Sequence, residues 1–246
     1  MDGIIIVNKP SFWTSFDVVA KIRNLSGVRR VGHSGTLDPM ATGVLPVFLG
    51  KATRFVKYFL DGDKGYMGEM ILGVKTDTGD VTGKRISDYQ SIRTRVSENQ
   101  NIRISREEVE KVFKKYLGEI EQVPPMYSAV KIKGKRLYEL ARKGMEVERK
   151  PRKVSIYELR WTMNDGRISF YVLCSKGTYI RQLVTNIGDD LGCGACLASL
   201  TRTYSHPFHI SQALPLETIV TLAKIGKLSS VLISPEEILE ELKKVR

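Results

Sequence analysis

The chain has little to cross a membrane with, few cysteines, and fewer acidic than basic side chains. Its early apolar run, Gly3 to Val7, is far too short for a bilayer span or a signal peptide. Acidic residues number 27 against 39 basic ones, leaving a formal charge of +12. That imbalance predicts an anionic partner, with nucleic acid ahead of an anionic membrane surface. No basic amphipathic helix with an aromatic face stands out, which argues against the membrane. Three cysteines, an odd number without a leader, predict a reducing, cytoplasmic setting. Neither a βαβ rhythm nor a repeat period is present, so mixed α+β is the expected class. The 246 residues fit one large domain, or one domain with a small appendage, and suffice for a substantial core.

What the chain does have is a dense punctuated stretch, GHSGTLDPMATGVLP, from Gly32 to Pro46. Gly32, Gly35 and Gly43 mark backbone that turns sharply or approaches a partner closely. Pro39 restricts Asp38 to non-helical angles. Asp38 is the only acid from Gly32 to Pro46, with one histidine, His33, beside it. It therefore lacks the company of a metal site or a carboxylate pair. A lone acid on a rigid loop suggests a nucleophile or general base aimed at a bound substrate.

Around this loop the pattern predicts a strand at 3–7 and a helix opened by Thr14 and Asp17, with Gly27 as its C-cap. Strands are expected at 44–48, 66–74, 154–161 and 168–174. Ser105 to Glu108 reads as a capping box for a helix with Val109, Val112, Phe113 and Leu117 on its apolar face, closed by Gly118. A second amphipathic helix is expected from Thr178 to Leu191, and a short last one from Ser234-Pro235. Residues 84–103 read as loop.

The segment 124–153 stands apart: ten basic residues face three acidic ones, so it carries +7 of the total, with Tyr127 and Tyr138 interleaved. Such a run is often a solvated helix face. Here it is one-signed and bounded by Pro124-Pro125 and Pro151, which favours a nucleic-acid arm. Other fragments fall away. Gly50-Lys51-Ala52-Thr53 lacks the spacing of a phosphate-binding loop. Asp77-Thr78-Gly79 reads as a turn rather than half of a protease dyad. Cys193 and Cys196 with His206 and His209 have gaps shorter than usual zinc-finger spacings, so two buried thiols are expected and no metal.

Five blocks together resemble one family: GIIIVNKP at 3–10, GHSGTLDPMATGVLPV at 32–47, KGYMGEMILGVKTDTGD at 64–80, QVPPMYSAVKIKGKRLYELARKG at 122–144 and CSKGTYIRQLVTNIGDDLGCGA at 174–195. In this order they resemble the TruB-type tRNA pseudouridine synthases, over about residues 3–214. The resemblance implies a pseudouridine synthase fold: a central, mixed, mostly antiparallel sheet flanked by helices, with a basic arm inserted. It implies isomerisation of uridine to pseudouridine in the T-loop of tRNA (position 55), by base flipping and an aspartate nucleophile, without a cofactor. Asp38 falls on the catalytic aspartate and Arg181 on the arginine that pairs with it. Tyr66 falls on the tyrosine that stacks on the uracil, and Tyr179 and Leu200 on residues lining the base pocket. His33 falls on the histidine that wedges into the T-loop, and 124–153 on the arm that closes over the tRNA stem-loop. Lys131, Lys133, Lys135 and Arg136 are the expected backbone-binding cations.

Two departures stand out. Thr201 replaces an arginine common after the pocket leucine, so Arg202 is expected to take over a phosphate contact there. The resemblance also implies a short form without a C-terminal RNA-binding domain of the PUA type: a catalytic domain over 1–232, then a short helix at 233–246. The expected partner is the tRNA T-arm, with no membrane and no protein partner, the chain acting as a monomer. The competing expectation is a non-catalytic RNA-binding or RNA-folding protein that uses the same arm.

Overall fold

The computed structural model describes residues 1–86, 104–132, 134–164 and 167–244. In chain order, Gly3–Lys9 forms β1, Ser15–Ser26 α1, Val31–His33 β2 and Thr42–Leu49 β3. A 3-10 turn at Gly50–Phe55 leads to α2, Val56–Leu60, and β4, Lys64–Leu72. Next come α3 (Arg106–Lys115), β5 (Gly118–Gln122), β6 (Lys131–Ile132), β7 (Lys135–Arg136) and α4 (Leu137–Ala141). They are followed by β8 (Arg152–Asn164), β9 (Arg167–Cys174), α5 (Ile180–Asp190) and β10 (Ala195–Ser205). The chain closes with β11 (Phe208–His209), β12 (Leu214–Pro215), α6 (Leu216–Lys224) and α7 (Pro235–Lys244). Among the described residues no helix is long and apolar enough to cross a membrane.

The chain divides into two compact units, residues 1–66 with 200–246, and residues 67–199. In the first, β1 lies between β3, antiparallel, and β12, parallel. β2 runs antiparallel to β3, whose other edge pairs in parallel with β10 through Thr42↔Thr201 and Gly43↔Arg202. The core of this unit gathers Ile4, Ile6, Val44, Phe48, Phe59 and Phe208, with Phe59 stacked 5.6 Å from Phe208 and tilted 5.3 Å from Phe48. Full burial of each such side chain contributes about 1.5–3 kcal/mol. Ile233 exchanges backbone hydrogen bonds with Ile4 (2.8 and 2.9 Å), and Ile238 and Leu239 of α7 pack on the same core. Helix α1 begins as its sequence predicts: Thr14 Oγ1 accepts the Asp17 N–H (3.0 Å), and the Asp17 carboxylate accepts the Thr14 N–H (2.8 Å). Gly27, at φ +66°, ends it.

In the second unit the strands follow the order β4, β9, β8, β5. β5, β8 and β9 are antiparallel neighbours. Burial alternates along β9, with Ile168, Phe170, Val172 and Cys174 turned inward, as a half-buried strand requires. The Ser105 capping box opens α3 as expected, and Val109, Val112 and Phe113 are buried. Leu117 and Gly118 depart from expectation. The helix stops at Lys115, Leu117 is exposed, and Gly118, at φ +87°, turns the chain into β5. Helix α5 likewise starts two residues late. Thr178 Oγ1 bonds back to the Ser175 carbonyl (2.9 Å), and the backbone of Tyr179 is held by another side chain. Residues 87–103, most of the expected loop at 84–103, lie outside the described residues.

Candidate active site

Asp38 sits in irregular backbone between two anchored neighbours. On its N-terminal side Leu37 is buried, and its N–H donates to Ser15 Oγ (2.9 Å), at the start of α1. On its C-terminal side the Pro39 carbonyl accepts from Lys9 Nζ (3.1 Å) and from the Phe12 N–H (2.7 Å). One residue further, the Met40 carbonyl accepts from Ser11 Oγ (3.0 Å), and the Ala41 N–H closes back on the Asp38 carbonyl (3.1 Å). The end of β1 and the first turn of α1 thus hold the peptide on both sides of the carboxylate. That is the rigidity the glycine and proline pattern predicts.

Lys9 was not singled out by sequence, yet it is fully buried. Its ammonium also donates to the carbonyls of Trp13 (2.6 Å) and Pro10 (2.9 Å). Burial pulls its pKa down to about 8; the Asp38 charge opposes that shift and Arg202 adds to it. Asn8-Lys9-Pro10 reads as the turn that the first strand enters, so nothing in the sequence marked the lysine as internal.

Arg202 corrects the expectation made for it. It is 1 % exposed, which leaves no guanidinium surface for an RNA phosphate. Its Nε donates to the Val44 carbonyl (2.8 Å), its Nη2 to the Gly35 carbonyl (3.1 Å), and it bonds the Tyr66 side chain. The arginine points inward because Gly43, at φ +102°, lets the backbone of β3 close on it; a Cβ at that glycine would overlap the Arg202 carbonyl. Thr201 is half-buried, its hydroxyl paired with that of Thr42 (2.8 Å).

Of the other expected residues in this unit, Tyr66 and Leu200 are largely buried, Tyr66 at the Arg202 guanidinium. His33 ends β2, and its Nδ1 is buried without a hydrogen-bond partner among the described residues. Burial and then the Arg202 charge lower its pKa, against a weaker pull from the Gly35 backbone, so the ring is neutral at physiological pH.

In the second unit Arg181 opens α5 and is 5 % exposed. Its Nη1 donates to the Thr78 carbonyl and its Nη2 to the Tyr127 carbonyl, both at 2.7 Å, while Nε lies 3.8 Å from Asp80 Oδ2. Asp80 is buried in the KTDTGD turn, where it accepts from the hydroxyl of Thr78 (2.8 Å) and the N–H of Thr82 (3.0 Å). Leu197 of β10 brackets that turn, bonding the Gly79 carbonyl and the Val81 N–H (both 3.0 Å). Asp77-Thr78-Gly79 is indeed a turn, and the functional-looking acid is the one just after it. Tyr179 is fixed by Gln122, whose amide accepts the Tyr179 N–H (2.8 Å) and donates to its carbonyl (3.1 Å). Neither Asp80 nor Gln122 carried a sequence signal beyond its position inside a family block.

The basic segment folds as a small hairpin, β6 with β7, followed by α4. Lys131, Lys135 and Arg136 are exposed on it; Lys133 lies outside the described residues. Tyr138 takes Arg136 and Arg142 over its ring at 5.8 and 5.5 Å. Arg149 ties the segment back to the Pro124 carbonyl (3.2 Å). A cavity of about 330 Å³ opens between Pro124, Val130, Lys131, Leu137, Arg149 and Arg152.

The four residues weighed as a zinc set have other surroundings. Cys193 and Cys196 are buried free thiols, Cys193 in the helix-to-strand turn between Gly192 and Gly194. His206 pairs with the Tyr204 hydroxyl (2.9 Å), and His209 Nδ1 lies 3.1 Å from Ser211 Oγ. Among the described residues no cluster of three or more His, Cys, Asp or Glu could hold a metal ion.

Comparison with known proteins adds independent findings. The family model described as TruB family pseudouridylate synthase (N terminal domain) matches residues 23–180. The chain is 45% identical to tRNA pseudouridine synthase B of Geobacillus thermodenitrificans, over 99% of this chain and 80% of that protein. It is 44% identical to the protein of the same name from Dehalococcoides mccartyi strain ATCC BAA-2100, over its whole length and 79% of that relative. Among solved structures, a chain from a Cbf5-Nop10-Gar1 complex superposes with a TM-score of 0.73 at 30% identity, covering 97% of this chain and 61% of that one. A chain from an H/ACA RNP bound to a substrate RNA containing 2'-deoxyuridine gives 0.68 at 28% identity, covering 96% of this chain and 60% of that one.

Proposed function

The chain belongs to the TruB family of pseudouridylate synthases and has their fold, and from that we propose that it converts uridine to pseudouridine in the T-loop of tRNA, at position 55, with Asp38 as the nucleophile. The observation that carries the reading is the mounting of Asp38: the one acid of its loop, with two neighbouring residues pinned by Ser15, Lys9 and Phe12. Holding a reacting group in one geometry removes much of the entropic barrier to attack.

The reaction breaks the N1–C1′ bond, turns the uracil and rejoins it through C5. Composition and oxidation state are unchanged, so the chemistry calls for no redox or group-donor cofactor. A carboxylate suits it because it can add covalently and leave again, dividing one difficult step into easier ones. In this reading Arg181 is the arginine partner of the catalytic aspartate, and Tyr179 and Leu200 line the base pocket. The target base must leave its stack, at a cost on the order of a few kcal/mol. Stacking on Tyr66 returns roughly 1–3 kcal/mol of that. His33, half-buried at the end of β2, fills the space the base vacates. Lys131, Lys133, Lys135 and Arg136 grip the tRNA backbone, a role that the exposure of Lys131, Lys135 and Arg136 supports.

Release of tritium from C5-labelled uridine in a T-loop transcript tests the proposal. Release with formation of pseudouridine is the expected result. Binding without release, where a control enzyme turns over, would make the chain a non-catalytic RNA-binding protein.

A further inference from the structure

Arg202 places a permanent positive charge in the protein interior. A buried charge carries a desolvation cost of several kcal/mol, and a well-packed apolar side chain often serves stability better. Two carbonyls and a phenol oxygen answer this one. The identity of those partners is informative. Gly35 and Val44 flank the loop that carries Asp38, and Tyr66, near the start of β4, is the ring proposed to stack on the base. Backbone pairing sets the arginine there, since Arg202 lies in register with Gly43 at the start of β3.

We infer that Arg202 is a positioning residue of the isomerisation, clamping the two ends of the Asp38 loop to each other and to Tyr66. One rigid fork then fixes the nucleophile and the base platform in a common frame. Lysine cannot replace it, because a single ammonium does not present the spaced donors that Nε and Nη2 direct at two carbonyls. The inference rests on the reading of Asp38 as nucleophile, and adds that the arginine works through the loop without touching RNA.

The test measures single-turnover isomerisation of a T-arm hairpin at saturating enzyme, together with hairpin affinity and thermal unfolding, for Arg202→Lys and Arg202→Gln. The expected result is a rate lower by about 100-fold per folded molecule, the scale of an approximately 1 Å misplacement of a reacting group. Hairpin affinity stays within about threefold, since no phosphate contact is lost. Rates within about threefold of wild type in either folded variant would overturn the inference, as would a loss of affinity that matches the loss of rate. Failure of both variants to fold would also overturn it, in favour of a purely structural arginine. Asp38→Asn is run alongside. An active Asp38→Asn removes the nucleophile reading itself, whereas an inert Asp38→Asn beside a fully active Arg202→Lys removes only the clamp.

Discussion

Replacing Asp80 by asparagine deletes a negative charge 3.8 Å from the Arg181 Nε while keeping nearly the same shape. At an effective dielectric of ~20, a unit pair at that separation interacts by about 4 kcal/mol. Both side chains are at most 7 % exposed, so solvent screens little of it. The amide of the Asp80→Asn variant would retain an acceptor for the Thr78 and Thr82 bonds, and Arg181 keeps its bonds to the Thr78 and Tyr127 carbonyls. The net loss should therefore be about 3 kcal/mol, the low end for breaking a buried pair. In a chain of this size that lowers the melting temperature by roughly 6–12 °C. The control is Glu119→Gln. Its pair with Lys153 is shorter, 2.7 Å, but the partners are 61 % and 69 % exposed. That substitution should cost less than about 1 kcal/mol. Differential scanning calorimetry of both variants decides between burial and distance as the governing term. If Asp80→Asn shifts the transition no more than Glu119→Gln does, the buried network around Arg181 has been misjudged.

Other consequences can be checked in parallel. Between pH 8 and 10.5 the folded chain holds the Lys9 proton less tightly than the unfolded chain does, so stability should rise with pH across that window. The gain of wild type over Lys9→Met, read by urea unfolding at pH 7.5 and pH 10, is expected to be about 2 kcal/mol; an unchanged difference refutes it. Gln122→Leu strips both bonds from the Tyr179 backbone and should cost about 2 kcal/mol while slowing isomerisation. An undiminished rate would show that Tyr179 needs no such support. Neutralising Lys131, Lys135 and Arg136 together should flatten the log–log salt dependence of tRNA binding by about 2. An unaltered slope would remove the arm from the RNA contact.

The legibility of the chain follows how local each determinant is. Both capping boxes, at Thr14 and Ser105, were readable because their hydrogen bonds span three residues. The Asp38 loop was readable for the same reason: its glycines and Pro39 constrain the backbone they belong to. Strand β10 went unread because Ala195 to Ser205 mixes small, hydroxylic and charged residues, and its burial depends on partners far away in sequence. Lys9 and Arg202 illustrate the same limit more sharply. Long cations normally reach solvent, and only tertiary structure turns these two inward onto the loop carbonyls. The fork that holds the glycine-rich loop was thus hidden in a residue type that sequence assigns to the surface.

The central claim is that the Asp38 carboxylate does the covalent work, and Asp38→Asn addresses it most directly. In a single-turnover assay of pseudouridine formation on a tRNA T-arm hairpin, the account predicts wild-type binding and no product. Substantial product formed by the folded variant would contradict it.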